Sequence, residues 1–309
     1  MNNTEVSTGG VAHTQGVLLT VGIPASGKDT WARETCEENP GKYSVINRDK
    51  LRAKAFTKTG DIHDYKYTKH KERAITERQF ELAQQQINGG GSVIVSDTNL
   101  NLGTRQSWAK FADKNGVPIT YKVMETPLHV CIKRNAKRAD YVPESVLIRM
   151  EKKMREYCGK YVHDKSNPDN LPECIIVDID GTLADHTGLR GSFEWSKVGL
   201  DRPRTFVISV VDRRSVMGDY IIVFSGRDNV CRGETETWLE SWGVPYNELH
   251  MRKEGSLVND CIVKEEMFDK FIKGKYHVSH IIDDRHQVVN MWCSMGFDVM
   301  DVGNRVSDF

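Results

Sequence analysis

Val17-Leu-Leu-Thr-Val-Gly-Ile-Pro-Ala-Ser-Gly-Lys-Asp-Thr30 is an apolar strand that breaks into a glycine-bounded loop, with a lysine where a helix begins. Gly22, Gly27 and Lys28 stand at the phosphate-loop spacing: glycine, four residues, glycine, lysine. Glycines let the backbone turn tightly, so that consecutive amide N–H groups point inward at an anion. Lys28 then reaches the outer phosphates, and the following helix presents its positive dipole end. Gly22, Ser26, Gly27 and Lys28, with Asp29 and Thr30 at the helix start, are the candidates to hold a nucleotide triphosphate and its metal.

Around this stretch the first half alternates strand and helix. The pattern predicts strands at Val17–Val21, Tyr43–Ile46, Ser92–Asp97 and Ile119–Met124. Helices are expected over Lys28–Asn39, Leu102–Asn115, Leu128–Arg138 and Pro143–Cys158, with a charged helical stretch containing Asp64-Tyr-Lys-Tyr-Thr-Lys-His-Lys-Glu72. Short apolar strands alternating with helices imply a parallel sheet covered on both faces. The alternation restarts after a polar, proline-bearing run. The expected strands there are Cys174–Ile179, Tyr220–Phe224, His277–Ile282 and Phe297–Val302. The expected helices lie near Thr205–Met217, Glu234–Trp242, Val263–Ile272 and Gln287–Met295. The fold class is therefore α/β in two domains, 17–163 and 174–309, joined by a linker at 164–173. Residues 1–16 read as a disordered lead-in.

At 309 residues, 39% hydrophobic and 28% charged, the chain suits a globular protein of two domains. It has no apolar run of membrane-spanning length. It has no secretory leader pattern, and its seven scattered cysteines form no Cys-x-x-Cys pair. These features predict a cytoplasmic protein without a disulfide framework. The net charge is zero but unevenly spread. Residues 1–163 carry 26 basic against 18 acidic side chains, and the rest carry 17 against 25, so the halves stand at +8 and −8. A basic half suits a polyanion, and an acidic half suits divalent metal.

Asp49 lies just past the second strand, in the crevice where open α/β sheets bind ligands. A carboxylate there can take a proton from an attacking hydroxyl. Arg52 follows by three and is suited to grip a phosphate on the acceptor. Arg134 and Arg138 are four apart, on one face of the expected helix, where they can close over the nucleotide. In the second half, Asp178-Ile-Asp-Gly-Thr182 puts two carboxylates on one side of a strand tip. Such a pair repels itself unless a cation or a proton intervenes. One aspartate can attack phosphorus while its neighbour protonates the leaving oxygen. Ser225-Gly-Arg227 ends the next strand with groups suited to phosphoryl oxygens. Lys264 is expected to open a helix, and Asp283-Asp284 offers metal ligands.

These motifs resemble two families. Asp178-Ile-Asp-Gly-Thr182, Ser225-Gly-Arg227, Lys264 and Asp283-Asp284 resemble the haloacid dehalogenase-like aspartyl phosphatases. The first half resembles the P-loop polynucleotide kinases. The order of the halves, with Ser96-Asp-Thr-Asn-Leu-Asn101 and Val288-Val-Asn-Met-Trp292, resembles the bacteriophage polynucleotide 5′-kinase/3′-phosphatases. The resemblance covers about residues 17–309. It implies that Lys28 binds ATP phosphates, Asp49 is the general base, Arg52 holds the acceptor's 3′-phosphate, and Arg134 and Arg138 are lid arginines. It implies Asp178 as nucleophile and Asp180 as general acid/base. Arg190, Ser225, Arg227 and Lys264 would contact or support the phosphate, and Asp178, Asp180, Asp260, Asp283 and Asp284 would hold Mg²⁺. The implied activity heals RNA or DNA ends for a ligase: 5′-hydroxyls are phosphorylated, and 3′-phosphates or 2′,3′-cyclic phosphates are removed. Homotetramers are implied by the resemblance alone.

One departure stands out. The families carry Ser or Thr after the loop lysine, where this chain has Asp29, with Thr30 next. One residue turns a helical side chain by about 100°, so Thr30 is no automatic substitute. Asp29 is expected to meet Mg²⁺ itself, directly or through water; the alternative is that it repels the phosphates. Two other functions fit parts of the pattern: a small-molecule kinase fused to a metabolite phosphatase, and a nucleotide-gated nucleic-acid clamp that has lost its chemistry.

Overall fold

The computed structural model describes residues 15–303. The expected lead-in lies outside the described residues up to position 14. Gln15 and Gly16 are held to the first sheet: Gln15 Nε2 donates to Ile87 O (2.6 Å) and Gly16 N to Ser92 Oγ (3.0 Å). The chain divides into two compact units after Cys158. Among the described residues no helix is long and apolar enough to cross a membrane.

In the first unit, β1 (Val17–Val21), β2 (Tyr43–Ile46), β3 (Ser92–Val95) and β4 (Ile119–Val123) form a parallel sheet in the order β2-β3-β1-β4. The helices are α1 (Lys28–Glu38), α2 (Arg48–Phe56), α3 (Lys69–Asn88), α4 (Leu102–Lys114), α5 (Leu128–Asn135) and α6 (Glu144–Tyr157). Val17, Leu19, Val93 and Val95 pack with Trp108, Ala83 and Ile87 from α3 and α4. Val21 and Ile23 pack with Leu128, Cys131, Leu147 and Met154 from α5 and α6. Full burial of each such aliphatic side chain contributes about 1.5–3 kcal/mol. Sheet and helices together hold the C-terminal end of β1, and hence the loop after it, in place.

The charged stretch expected to be helical is broken. Helix α2 ends at Phe56, and α3 begins only at Lys69, after Thr68 caps it by accepting from Lys71 N (3.2 Å). Between them Thr57, Thr59 and Asp61 bond local backbone N–H groups, which favours turns over helix. Tyr65, Lys66 and Tyr67 therefore lie outside any helix.

In the second unit, β5 (Glu173–Asp178), β6 (Ala184–Asp185), β7 (Arg202–Pro203), β8 (Tyr220–Asp228), β9 (Glu248–Arg252), β10 (His277–Asp283) and β11 (Val299–Asp301) alternate with α7 (Thr205–Val216), α8 (Arg232–Ser241), α9 (Asp260–Met267) and α10 (His286–Ser294). Five strands form a parallel sheet in the order β11-β10-β5-β8-β9, and β6 pairs antiparallel with β7. Period-two alternation splits the apolar strands between two cores. Cys174, Ile176, Ile222 and Phe224 face one side, with Trp292 and Phe268. Ile175, Val177, Ile221 and Val223 face the other, with Val207, Val211 and Trp238. Residues 159–173 pack with this unit: His163 N donates to Met295 O (2.7 Å), and its ring stacks on Phe297.

Three local readings change. Strand β8 continues through Ser225-Gly-Arg227 to Asp228, with a register irregularity against β9 between Ser225 and Asp228, the signature of a bulge that re-aims side chains. Helix α9 starts at Asp260, capped by Asn259, so Lys264 lies one turn in rather than at its opening. Helix α5 stops at Asn135, which leaves Arg138 outside it.

Candidate functional site: two anion pockets

In the first unit the loop after β1 lines a cavity of about 770 Å³ with Ala25, Ser26, Gly27, Lys28, Asp29 and Thr30, together with Trp31, Lys122, Arg134, Arg138 and Asp140. Gly27 has φ +98°, a left-handed conformation that glycine adopts freely. Ala25 takes φ +61° without that freedom. Gly22, at the other end of the loop, packs against Met124, and its N–H donates to Thr98 O (3.1 Å). Lys28 is nearly buried, and its Nζ donates to Ile23 O (2.6 Å). Burial lowers its pKa to about 8, with nearby Asp29 opposing the shift.

Asp29 does not float free. Its carboxylate accepts from Ser96 Oγ and, at 3.4 Å, from Asn47 Nδ2. It is thus fixed at the cavity wall beside Lys28. Thr30 lines the same cavity and is exposed. Arg134 and Arg138 converge on this cavity, but not as one helical face. Arg134 lies in the last turn of α5, and Arg138 sits in the turn that follows, forked onto Asp140.

Asp49 follows Asn47, which caps α2, and is open to solvent, with its side chain 61% exposed. Arg52 Nη1 donates to Asp49 Oδ1 (2.6 Å), as the three-residue spacing allows. Its Nε and Nη2 donate to Glu72 Oε1 (2.9 Å) and Oε2 (2.8 Å). Three of the five guanidinium N–H groups are thereby engaged. Glu72 also accepts from Arg48 and Tyr65. Hydrogen bonds from Arg52, against a counteracting burial, hold its pKa at about 2, with Arg48 and Tyr65 adding to the effect. Sequence spacing gave no sign that Glu72 joins Arg52 and Arg48, because Glu72 meets them from another helix, α3.

In the second unit, β5, β8 and β10 bring their C-terminal tips together with α9. Lys264 Nζ donates to Asp178 Oδ1 (2.7 Å) and Asp283 Oδ2 (2.8 Å), and all three side chains are almost fully buried. Asp178, Asp283 and Asp284 each offer a carboxylate oxygen within 4.8 Å of the others. Hard oxygen donors at this spacing fit a divalent cation. Burial, and then the neighbouring acids, raises the Asp178 pKa well above the carboxylate range, with Lys264 opposing. Burial and Asp283 raise Asp284 as well. Gly181 has φ +86°, and a Cβ there would overlap the Asp284 carboxylate, so glycine is what lets the chain turn off β5 past the cluster.

Asp180 stands outside that cluster. It accepts from Arg227 Nη2 (2.8 Å) and Arg190 Nη2 (2.7 Å). Burial works against its ionisation, but the charges and hydrogen bonds of Arg227 and Arg190 outweigh it and keep the pKa low. The side chains of both arginines are fully buried, and both also bind Asp201, a residue that sequence reading missed. Arg227 and Arg190 therefore sit behind Asp180 rather than in the cavity. Ser225 is buried as well, with its Oγ accepting from Arg227 N (3.1 Å). Asp260 is likewise outside the cluster: it accepts from Arg252 Nη2 (3.0 Å) and lies 3.8 Å from Lys264.

The cavity over these groups measures about 290 Å³. Asp178, Asp180 and Asp260 form its floor, with Arg252 and Arg285 as its cations. Phe193, Trp195, Leu257 and Val258 line it further out, and His186 lines it beside the aspartates. Phe193 is 79% exposed and Leu257 95%. None of these lining residues follows a motif spacing, which is why the sequence kept them hidden.

Comparison with known proteins follows the same division. Residues 172–309 match the family described as the polynucleotide kinase PNKP phosphatase domain, and residues 17–157 match an AAA domain. Domains of these kinds use a nucleotide and a divalent metal. Over 303 residues the chain is 31% identical to a protein of Autographa californica nuclear polyhedrosis virus, provisionally named a bifunctional polynucleotide kinase/RNA ligase. That match takes in 94% of this chain and 43% of the viral protein, so the chain spans less than half of its relative. A solved Pnkp1/Rnl/Hen1 RNA repair complex contains a chain that is 28% identical, covered in full by 98% of this one, with a TM-score of 0.43. Along residues 17–309 the chain thus carries an AAA domain followed by a domain that matches the polynucleotide kinase PNKP phosphatase family.

Proposed function

We propose that the protein heals nucleic-acid ends, phosphorylating 5′-hydroxyls at one pocket and removing 3′-phosphates at the other. The observation that carries this reading is the placing of Asp178 and Asp180. Two residues apart, they line one cavity, Asp178 within a three-carboxylate cluster on Lys264 and Asp180 held by Arg190 and Arg227.

At the first pocket, ATP is the donor. The acceptor's 5′-oxygen attacks the γ-phosphorus in line, Asp49 takes its proton, and the bond to the β-phosphate oxygen breaks. Lys28 and the loop N–H groups hold the phosphate charge, with Arg134 and Arg138 at the cavity wall. Glu72 fixes Arg52 against Asp49, so Arg52 orients the base while two donors remain for an acceptor phosphate. Asp29, held by Ser96, is a fixed oxygen donor toward Mg²⁺. Asp29→Ser is expected to lower kinase activity about tenfold, and a large gain would mean that the carboxylate only repels the nucleotide.

At the second pocket, Asp178 attacks phosphorus, the bond to the 3′-oxygen breaks, and Asp180 protonates that oxygen. Water then opens the aspartyl-phosphate, with Asp180 as base. Asp178, Asp283 and Asp284 would hold a divalent cation, Mg²⁺ by resemblance, whose positive charge would keep Asp178 ionised and neutralise phosphoryl oxygens. Asp180, kept ionised by Arg227 and Arg190, gains proton affinity when a phosphate dianion arrives beside it. Arg252 and Arg285 face the incoming phosphate from the cavity wall. The healed ends are substrates for a ligase acting downstream.

The direct experiment incubates 5′-hydroxyl, 3′-phosphate oligonucleotides of RNA and DNA with labelled ATP. Label at the 5′ end and phosphate released from the 3′ end in the same tube are the expected result. Phosphorylation of sugars or nucleosides in preference to oligonucleotides would point to a metabolite enzyme instead.

A further inference from the structure

We propose that His186 reads the 2′-oxygen of the terminal nucleotide, so that the phosphatase pocket distinguishes RNA ends from DNA ends. The inference rests on the phosphatase reading given above and extends it to the sugar. His186 directly follows β6 and lines both cavities that flank the acid cluster. One is the 290 Å³ cavity with Asp178 and Asp180, and the other is a 410 Å³ cavity with Asp284 and Arg204. Its backbone carbonyl accepts from Leu189 N and Arg190 N, opening the turn that carries Arg190 to Asp180. Its Nδ1 is buried and has no hydrogen-bond partner. The residue lines the 290 Å³ cavity together with Asp180.

A buried nitrogen without a partner loses its hydration and receives nothing in return, so a ligand oxygen placed there is favoured. The geometry of a nucleotide says which oxygen that is. Its 3′-oxygen lies at Asp180, the group that protonates it. Its base has a stacking face in Phe193 and Trp195, which meet edge-to-face at 5.8 Å along the same cavity. The base hangs from C1′ and the phosphate from C3′, so the 2′-carbon lies between these two anchors. Among the residues lining that cavity, His186 carries the unpartnered nitrogen. The 2′-hydroxyl both donates and accepts, so either ring tautomer can meet it, and a deoxyribose leaves Nδ1 unpaired.

The test measures kcat/KM on matched oligonucleotides ending in a ribonucleoside or a 2′-deoxyribonucleoside 3′-phosphate, with an aryl phosphate as a sugar-free substrate. Wild type is expected to favour the ribo end about tenfold, the worth of one such hydrogen bond. In His186→Ala the ratio of ribo to deoxyribo falls toward one, whatever happens to the absolute rates. In His186→Asn, which keeps a donor and an acceptor near the Nδ1 position, part of the preference returns. An unchanged ratio in His186→Ala, or a wild type with no ribo preference, overturns the proposal. Hydrolysis of the aryl phosphate by wild type with no attack on either 3′-phosphate end overturns the phosphatase reading itself.

Discussion

Around Lys28 the first unit lines its anion site with charges that are mostly open to solvent, Asp29, Lys122 and Arg134 among them. One lysine is buried, and Asp49 stands with 61% of its side chain in solvent. Around Asp178 the second unit is a buried lattice. Asp178, Asp283, Lys264, Arg227 and Arg190 are all almost without exposure, and each charge answers another. The open site can admit a flexible acceptor and close over a nucleotide. The lattice is organised before any substrate arrives, and charges in such an environment interact far more strongly than at a surface. The contrast means that removing one charge costs function in the first unit, but function and folding together in the second.

Lys264→Met puts the largest effect on that contrast. It leaves Asp178 and Asp283 buried without their counter-charge, a change that destabilises by about 3–5 kcal/mol. Differential scanning calorimetry without added metal is expected to show a lower melting temperature for the second unit's transition. An unaltered transition would mean that the lattice is not under electrostatic load.

The matching change in the first unit has a smaller expected effect and is read as a proton. Burial sets the Lys28 pKa at about 8, so the free protein loses that charge as pH rises through 8. A bound triphosphate restores it, and binding then takes up a proton. Calorimetric titrations with ATP in buffers of different ionisation enthalpy are expected to show uptake of about a tenth of a proton at pH 7 and most of one at pH 9. Lys28→Arg abolishes the pH dependence. Equal uptake at both pH values would show that the lysine keeps its charge throughout.

The smallest effect tests the loop backbone itself. Ala25 takes φ +61°, where a Cβ is strained, and Ala25→Gly relieves it. The variant is expected to stabilise the first unit by about 1 kcal/mol in urea titrations, with no change in the second. Destabilisation would mean that the side chain contributes more packing than its conformation costs.

The two units also differ in how far their sequence could be read. Strands Val17–Val21 and Tyr43–Ile46 stand where their apolar runs put them, and Asp178, Lys264, Asp283 and Asp284 meet at the strand tips to which their motifs belong. Strand β9, Glu-Leu-His-Met-Arg, escaped notice because it is an edge strand with one buried residue and no apolar run. Arg227 was placed at the phosphate because a guanidinium at a strand tip suits one. The β8 bulge, and Asp201 some two dozen residues earlier in the chain, turn it behind Asp180 instead. Glu72 and Asp201 act across elements that sequence spacing does not connect. The helix expected through Asp64–Glu72 begins only at Lys69, because side-chain bonds to the backbone over Thr57–His63 favour turns and Thr68 caps the helix.

The separateness of the two pockets is tested most directly by two single changes assayed on one doubly reactive oligonucleotide. Lys28→Ala is expected to abolish 5′-phosphorylation and leave 3′-phosphate release intact, and Asp178→Ala to do the reverse. Loss of both activities from either change, in a protein that still melts cooperatively in both units, would contradict the account.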